Sequence, residues 1–139
     1  GLEQYKIGGR QKRGSSPKLI LWNNALVSAV DSRDFQAAVS DPEWYGLLVE
    51  NAVGAHLLNH LQDATEDLYY WRQRQFEADF VLKNPSGVWA IEVKSSRTRK
   101  TGGLREFRRL FPQSKPLIVG GSGVPLQEFF STNPQEFFR

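Results

Sequence analysis

The chain has 139 residues, 40% of them apolar, and a formal net charge of +3, which suits one globular domain with its own core. It has no cysteine, which excludes disulfides and thiolate metal sites, and no apolar run approaches the ~18 residues of a membrane span, so the expected setting is cytoplasmic. There is no methionine either, so residue 1 is not expected to be a translation start, and the sequence reads as a fragment or a processed product.

Residues 1–16 (GLEQYKIGGRQKRGSS) are rich in glycine, serine and bases without a hydrophobic period, and read as a linker or loop. PKLILW at 17–22 reads as a short strand, and NNALVSAV at 23–30 as a short helix that Asn23 or Asn24 caps. DSRDFQAAVSDP continues in helical or turn-like form to a break at Pro42. The strongest helix covers 43–61, with Asp41 as its cap and Pro42 at its first position. At 100° per residue, Leu47, Gly54, Leu57, Leu58 and Leu61 share one face, and Glu50 falls in its middle. His56 and His60 fall on the opposite face, and their i, i+4 spacing reads as a solvated pair rather than a zinc site.

Beyond residue 67 the period shortens to that of strands. LYYWRQRQ (68–75), ADFVLK (78–83) and GVWAIEVK (87–94) read as three strands, the last two joined by a turn at Pro85 to Gly87. A basic polar loop, a short amphipathic helix at 104–111 and an apolar strand at 116–121 follow. Phe129, Phe130, Phe137 and Phe138 read as anchors that dock an otherwise unpatterned tail. Tyr69, Tyr70 and Trp71 suit a sheet core better than a base-stacking platform.

Charge is unevenly spread. Residues 34–92 hold ten acids against three bases, whereas 94–109 hold seven bases against Glu106 alone. Strand alternation puts Glu92 and Lys94 on one face, and Asp79 lies on the adjoining strand. If the hairpin brings Asp79 to that face, two carboxylates and an ammonium gather there, with Glu50 reaching in from the helix. Oxygen-only ligands favour Mg²⁺ or Mn²⁺, so Asp79 and Glu92 are the expected metal ligands and Lys94 the group that orients water or stabilises phosphate charge. Glu50 reads either as a fourth member of this site or as a helix acid paired with Lys94 or an arginine. Arg97, Arg99, Lys100, Arg105 and Arg108 read as a track for a phosphate backbone, or as a solvated loop and helix face.

Asp79, twelve intervening residues and then Glu92-Val93-Lys94 resemble the D…(D/E)xK signature of the PD-(D/E)xK nuclease superfamily. The order helix, three strands, helix, strand resembles its core as well. More narrowly, SSPKLILWNNAL, GLLVENAVGAHLL, LYYWRQ, EADFVL, IEVKSS and GLREFRRLFP resemble, in order, the nuclease-like C-terminal domain of a prokaryotic family of P-loop ATPases. The resemblance implies an α/β, restriction-endonuclease-like core over 34–139, with 1–33 as an α/β lead-in from a preceding ATPase region. It implies Asp79, Glu92, Lys94 and Glu50 as the catalytic set, with Mg or Mn as cofactor, DNA as a possible partner and no membrane. The sequence departs from the pattern at Ala78, where proline is usual, and at Asn23-Asn24-Ala25, where an acid and a glycine are expected; it has no Walker A loop. The expected function is therefore a metal-dependent phosphodiesterase or DNA-binding module, with a catalytically silent interaction or regulatory module of the attached ATPase as the alternative.

Overall fold

The computed structural model describes residues 1–6, 16–29, 31–61, 65–96 and 102–139. Two short helices, α1 (Asn24–Ala29) and α2 (Phe35–Ser40), precede the long helix α3 (Pro42–Asn59). Strands β1 (Asp67–Gln73), β2 (Phe76–Asn84) and β3 (Gly87–Lys94) follow, then α4 (Gly102–Leu110), β4 (Lys115–Gly120), α5 (Leu126–Ser131) and a closing 3-10 turn, Pro134–Phe137. The chain is thus a mixed α/β domain. No helix among the described residues is long and apolar enough to cross a membrane.

Local chemistry places the helix starts where the sequence points. The Asp34 side chain accepts from the Ala37 N–H at 2.8 Å and opens α2. Asp41 accepts from the Glu43 and Trp44 N–H groups, both at 3.1 Å, and opens α3 with Pro42 at its first turn. Asn23 accepts from Ala25 N–H at 2.8 Å, ahead of α1.

The four strands lie in the order β1-β2-β3-β4. The first two pairings are antiparallel and the third, β3 with β4, is parallel, with α4 as its crossover. Helix α3 covers one face, burying Val53 and Leu57 against Tyr70, Phe80, Leu82, Trp89 and Ile91. Helix α4 covers the other, burying Leu104 and Phe107 against Trp71, Ala78, Val81 and Ala90. Gly54 permits the first contact, because a Cβ there would fall 2.8 Å from the Phe80 ring.

Three expectations change. The 1–16 linker is, over its described first residues, an edge strip on β1: Tyr5 N–H donates to Tyr70 O at 2.7 Å and Tyr70 N–H to Glu3 O at 3.1 Å. Leu2 is buried in the α3-side core and pairs with Lys18. An unpaired sheet edge recruits whatever backbone lies near, whatever its own period. The 17–22 run forms no strand beyond that single Leu2–Lys18 bridge. On α3, Leu47 is 54% exposed while Val49 and Val53 are buried, so the core-facing stripe is rotated from the one projected.

A single irregularity in the sheet matters most. Tyr69 pairs with Val81 but Trp71 pairs with Ala78, so two steps on β1 oppose three on β2. This is a β-bulge at Asp79 and Phe80. It sends Ala78 and Val81 to the α4 side and Phe80 to the α3 side.

Candidate functional site

The bulge decides where Asp79 goes. With unbroken alternation, the β2–β3 register would put Asp79 opposite Glu92 and on its face. Instead, the β2–β3 ladder ends at Phe80↔Ile91, and the Asp79 carboxylate accepts from the Val93 backbone N–H at 2.7 Å. Its other oxygen turns to the α3 side, 3.9 Å from the Lys18 ammonium.

Lys18 is the centre of this group. Its Nζ donates to the Asp79 carbonyl oxygen at 3.0 Å, forms a close ion pair with Glu50 and lies 3.6 Å from Glu77. It also sits 4.9 Å from the centroid of the Phe80 ring, a cation–π contact on the core side. Glu77 in turn accepts from Arg72 at 2.9 Å. Three carboxylates thus converge on one ammonium of which only 15% is exposed. Burial, first, and repulsion from Glu50, second, push the Asp79 carboxyl up to about 7, against the pull of Lys18 and the Val93 N–H.

Glu92 and Lys94 form a separate pair. Ile91 and Val93 pack on the α3 side and Ala90 on the α4 side, so alternation carries Glu92 and Lys94 to the α4 side. Both are buried, at 9% and 6% exposure, with the ammonium 3.6 Å from Glu92 Oε1. Burial raises the Glu92 carboxyl pKa, and the neighbouring Lys94 opposes the rise. Glu92 Oε2 is buried and has no hydrogen-bond partner among the described residues.

The structure therefore brings Asp79 and Glu50 together, brings Glu92 and Lys94 together, and separates the two pairs by the sheet. Among the described residues, no group of three or more histidines or acids is arranged to hold a metal ion. Lys18 and Glu77 were missed by sequence reasoning. The signal for Lys18, one base inside the apolar run PKLILW, is visible only once its partners are known.

Of the proposed phosphate track, Arg97, Arg99 and Lys100 lie outside the described residues. Arg105 and Arg108 are exposed on α4. Arg109 binds Glu106 at 2.7 and 3.0 Å, and Arg74, at the β1–β2 turn, is near enough to act on the same carboxylate. His56 and His60 do not stand in solvent as a polar face would. Their rings lie 4.5 Å apart, and His56 packs edge-on against Phe129 and Phe130 and bonds Thr132 O at 3.2 Å. The tail covers that helix face, as its phenylalanines lead one to expect: Phe129 and Phe138 are buried, and Phe130 stays 39% exposed.

Residues 45–129 match the family described as a domain of unknown function, DUF4143. The chain belongs to that family. The domain is one that occurs in ATPase-associated proteins of the AAA type. No curated protein and no solved structure matches the chain. The DUF4143 segment holds Glu50, Glu77, Asp79, Glu92 and Lys94, whereas Lys18 comes from the lead-in before it.

Proposed function

We propose that this DUF4143 domain is a catalytically silent interaction module of a larger protein that carries a P-loop ATPase, built on a restriction-endonuclease-like core. The order α3, three strands, α4, β4 with a parallel last pairing supports that core. The observation that carries the silent reading is the pairing of these acids with lysines of the same chain. Lys18 sits among Glu50, Glu77 and Asp79, and Lys94 sits on Glu92. Cations of the chain itself take the role a divalent ion has in a nuclease. In this arrangement Asp79 and Glu92 do not converge on one position, so they do not fit a shared Mg²⁺ or Mn²⁺, and no hydrolytic step is derived through one.

A second reading, a Mg- or Mn-dependent phosphodiesterase or DNA-binding module, is favoured by one observation. Glu92 Oε2, buried without a partner among the described residues, is a position that a proton or a cation would satisfy. Calorimetric titration of Mn²⁺ into the wild type and into Asp79→Asn/Glu92→Gln separates the readings. The silent module predicts no binding to either, with circular dichroism showing both folded. Mn²⁺ binding that the double substitution removes would overturn it.

A further inference from the structure

The large apolar side chains most exposed in the described chain are close in sequence. Leu19 is 78% exposed, Trp22 61%, Leu26 55%, Phe35 78% and Leu47 54%. Helices α1 and α2 bury none of their residues and pack on the outside of α3. This surface leads into a cleft of about 710 Å³ that Leu21, Val27, Trp44 and Leu47 wall on the apolar side. Glu50, Glu77 and Asp79 line it too, with Lys18.

Resting on the interaction-module reading, we propose that this cleft docks a partner's peptide segment bearing a lysine or arginine between apolar side chains. Charge complementarity selects that occupant. Three carboxylates line the cleft against two cations, Lys18 and Arg72, which leaves one formal negative charge in excess. A purely apolar ligand would desolvate these acids without compensation, and a polyanion would meet like charge. Lys18 displays the mode of capture: an ammonium is held by a carboxylate, a peptide carbonyl and the face of Phe80, while the leucines beside it lie outward.

Tryptophan emission, with Trp22 and Trp44 at the surface and cleft, reports titration with an acetylated, amidated hexapeptide of alternating leucine and lysine. A matching leucine–glutamate hexapeptide and phosphatidylcholine vesicles are the comparisons. The expected result is saturable binding of the lysine peptide, weakened about tenfold or more in Glu77→Gln/Asp79→Asn and again in Leu47→Ser. Leu47→Ser removes an exposed side chain, so its folding is secure, and circular dichroism checks the acid variant. Three results would overturn the proposal: no binding of the lysine peptide, equal binding of the glutamate peptide, or binding to the vesicles in preference to both. Failure here with no Mn²⁺ bound removes the partner chemistry but leaves the silent module standing; Mn²⁺ binding lost in the double substitution removes the module itself.

Discussion

At the scale of single residues, Asp79 carries the clearest consequence. Its carboxyl is raised from the ordinary aspartate value of 3.8 to about 7 in the folded chain, so between those values the folded state holds a proton that the unfolded state has released. Stability from this group is full below 3.8 and is lost as pH rises through about 7, at a rate of at most about 1.4 kcal/mol per pH unit. His56 works in the opposite sense. Burial, chiefly, holds its pKa below 6.5, so its contribution is present above 6.5 and is lost as pH falls. Urea denaturation from pH 4 to 7 tests this. Asp79→Asn is expected to make the downward slope shallower, leaving the part that Glu92, also raised by burial, contributes against the opposite slope of His56. A wild-type slope that Asp79→Asn leaves unchanged would show that another group titrates.

Much of the residue-scale reading was present in the sequence, because burying charge is costly and such residues therefore stand out. Asp79, Glu92, Lys94 and Glu50 were singled out as charges among apolar neighbours, and all four are largely buried and ion-paired. Which charges pair with which was not readable. Lys18 lies 32 residues before Glu50 and 61 before Asp79, and no local pattern links such positions.

At the scale of elements, the approach of α4 to the sheet is set by Gly103. A Cβ there would come 1.7 Å from the Glu77 carbonyl oxygen, which belongs to backbone and cannot move aside. Gly103→Ala is therefore expected to cost roughly 2 kcal/mol or more and to push α4 away from β2, seen as a lower urea midpoint. Stability within about 0.5 kcal/mol of the wild type would mean that the helix start adjusts freely. The tail is the other element with a defined anchor. Phe129 is fully buried between His56 and Phe137, and Phe129→Ala is expected to cost about 3–5 kcal/mol, measured by the same denaturation.

The α3 cap, the hairpin and strands β1 to β4 were readable because each rests on patterns a few residues long, whereas the 17–22 run, strand-like by itself, forms only one bridge, and helix α5 in the tail carried no such pattern. Asp41 bonds the first turn it opens, and Asn84 accepts from Ser86 N–H at 2.8 Å in the β2–β3 turn. The bulge at Asp79 and Phe80 was not readable. ADFVLK reads as an ordinary apolar strand run, and the extra residue shows only when β1 and β3 are both in register beside it.

At the scale of the whole molecule, seven of the eight exposed large apolar side chains among the described residues lie between Leu19 and Leu47. Phe35→Ser, on a helix that buries nothing, is expected to change stability by about 0.5 kcal/mol or less. A loss of several kcal/mol would show instead that Phe35 supports the core. On the other side of the sheet, Arg74, Arg105 and Arg109 crowd around Glu106, giving a basic face distinct from the acidic cleft.

The sequence by itself determined the order of the elements from α3 to β4, the start of α3, the hairpin and four of the buried charges, Glu50, Asp79, Glu92 and Lys94. Those follow from propensity, capping and the cost of burying polar groups, all of which act over short stretches of chain. Tertiary structure alone decided that residues 2–5 edge the sheet, that the tail covers His56, and that a bulge turns Asp79 away from Glu92 toward Lys18. Each of these is a contact between distant segments, chosen by which surfaces meet once the sheet has formed, and side-chain period carries no record of that choice.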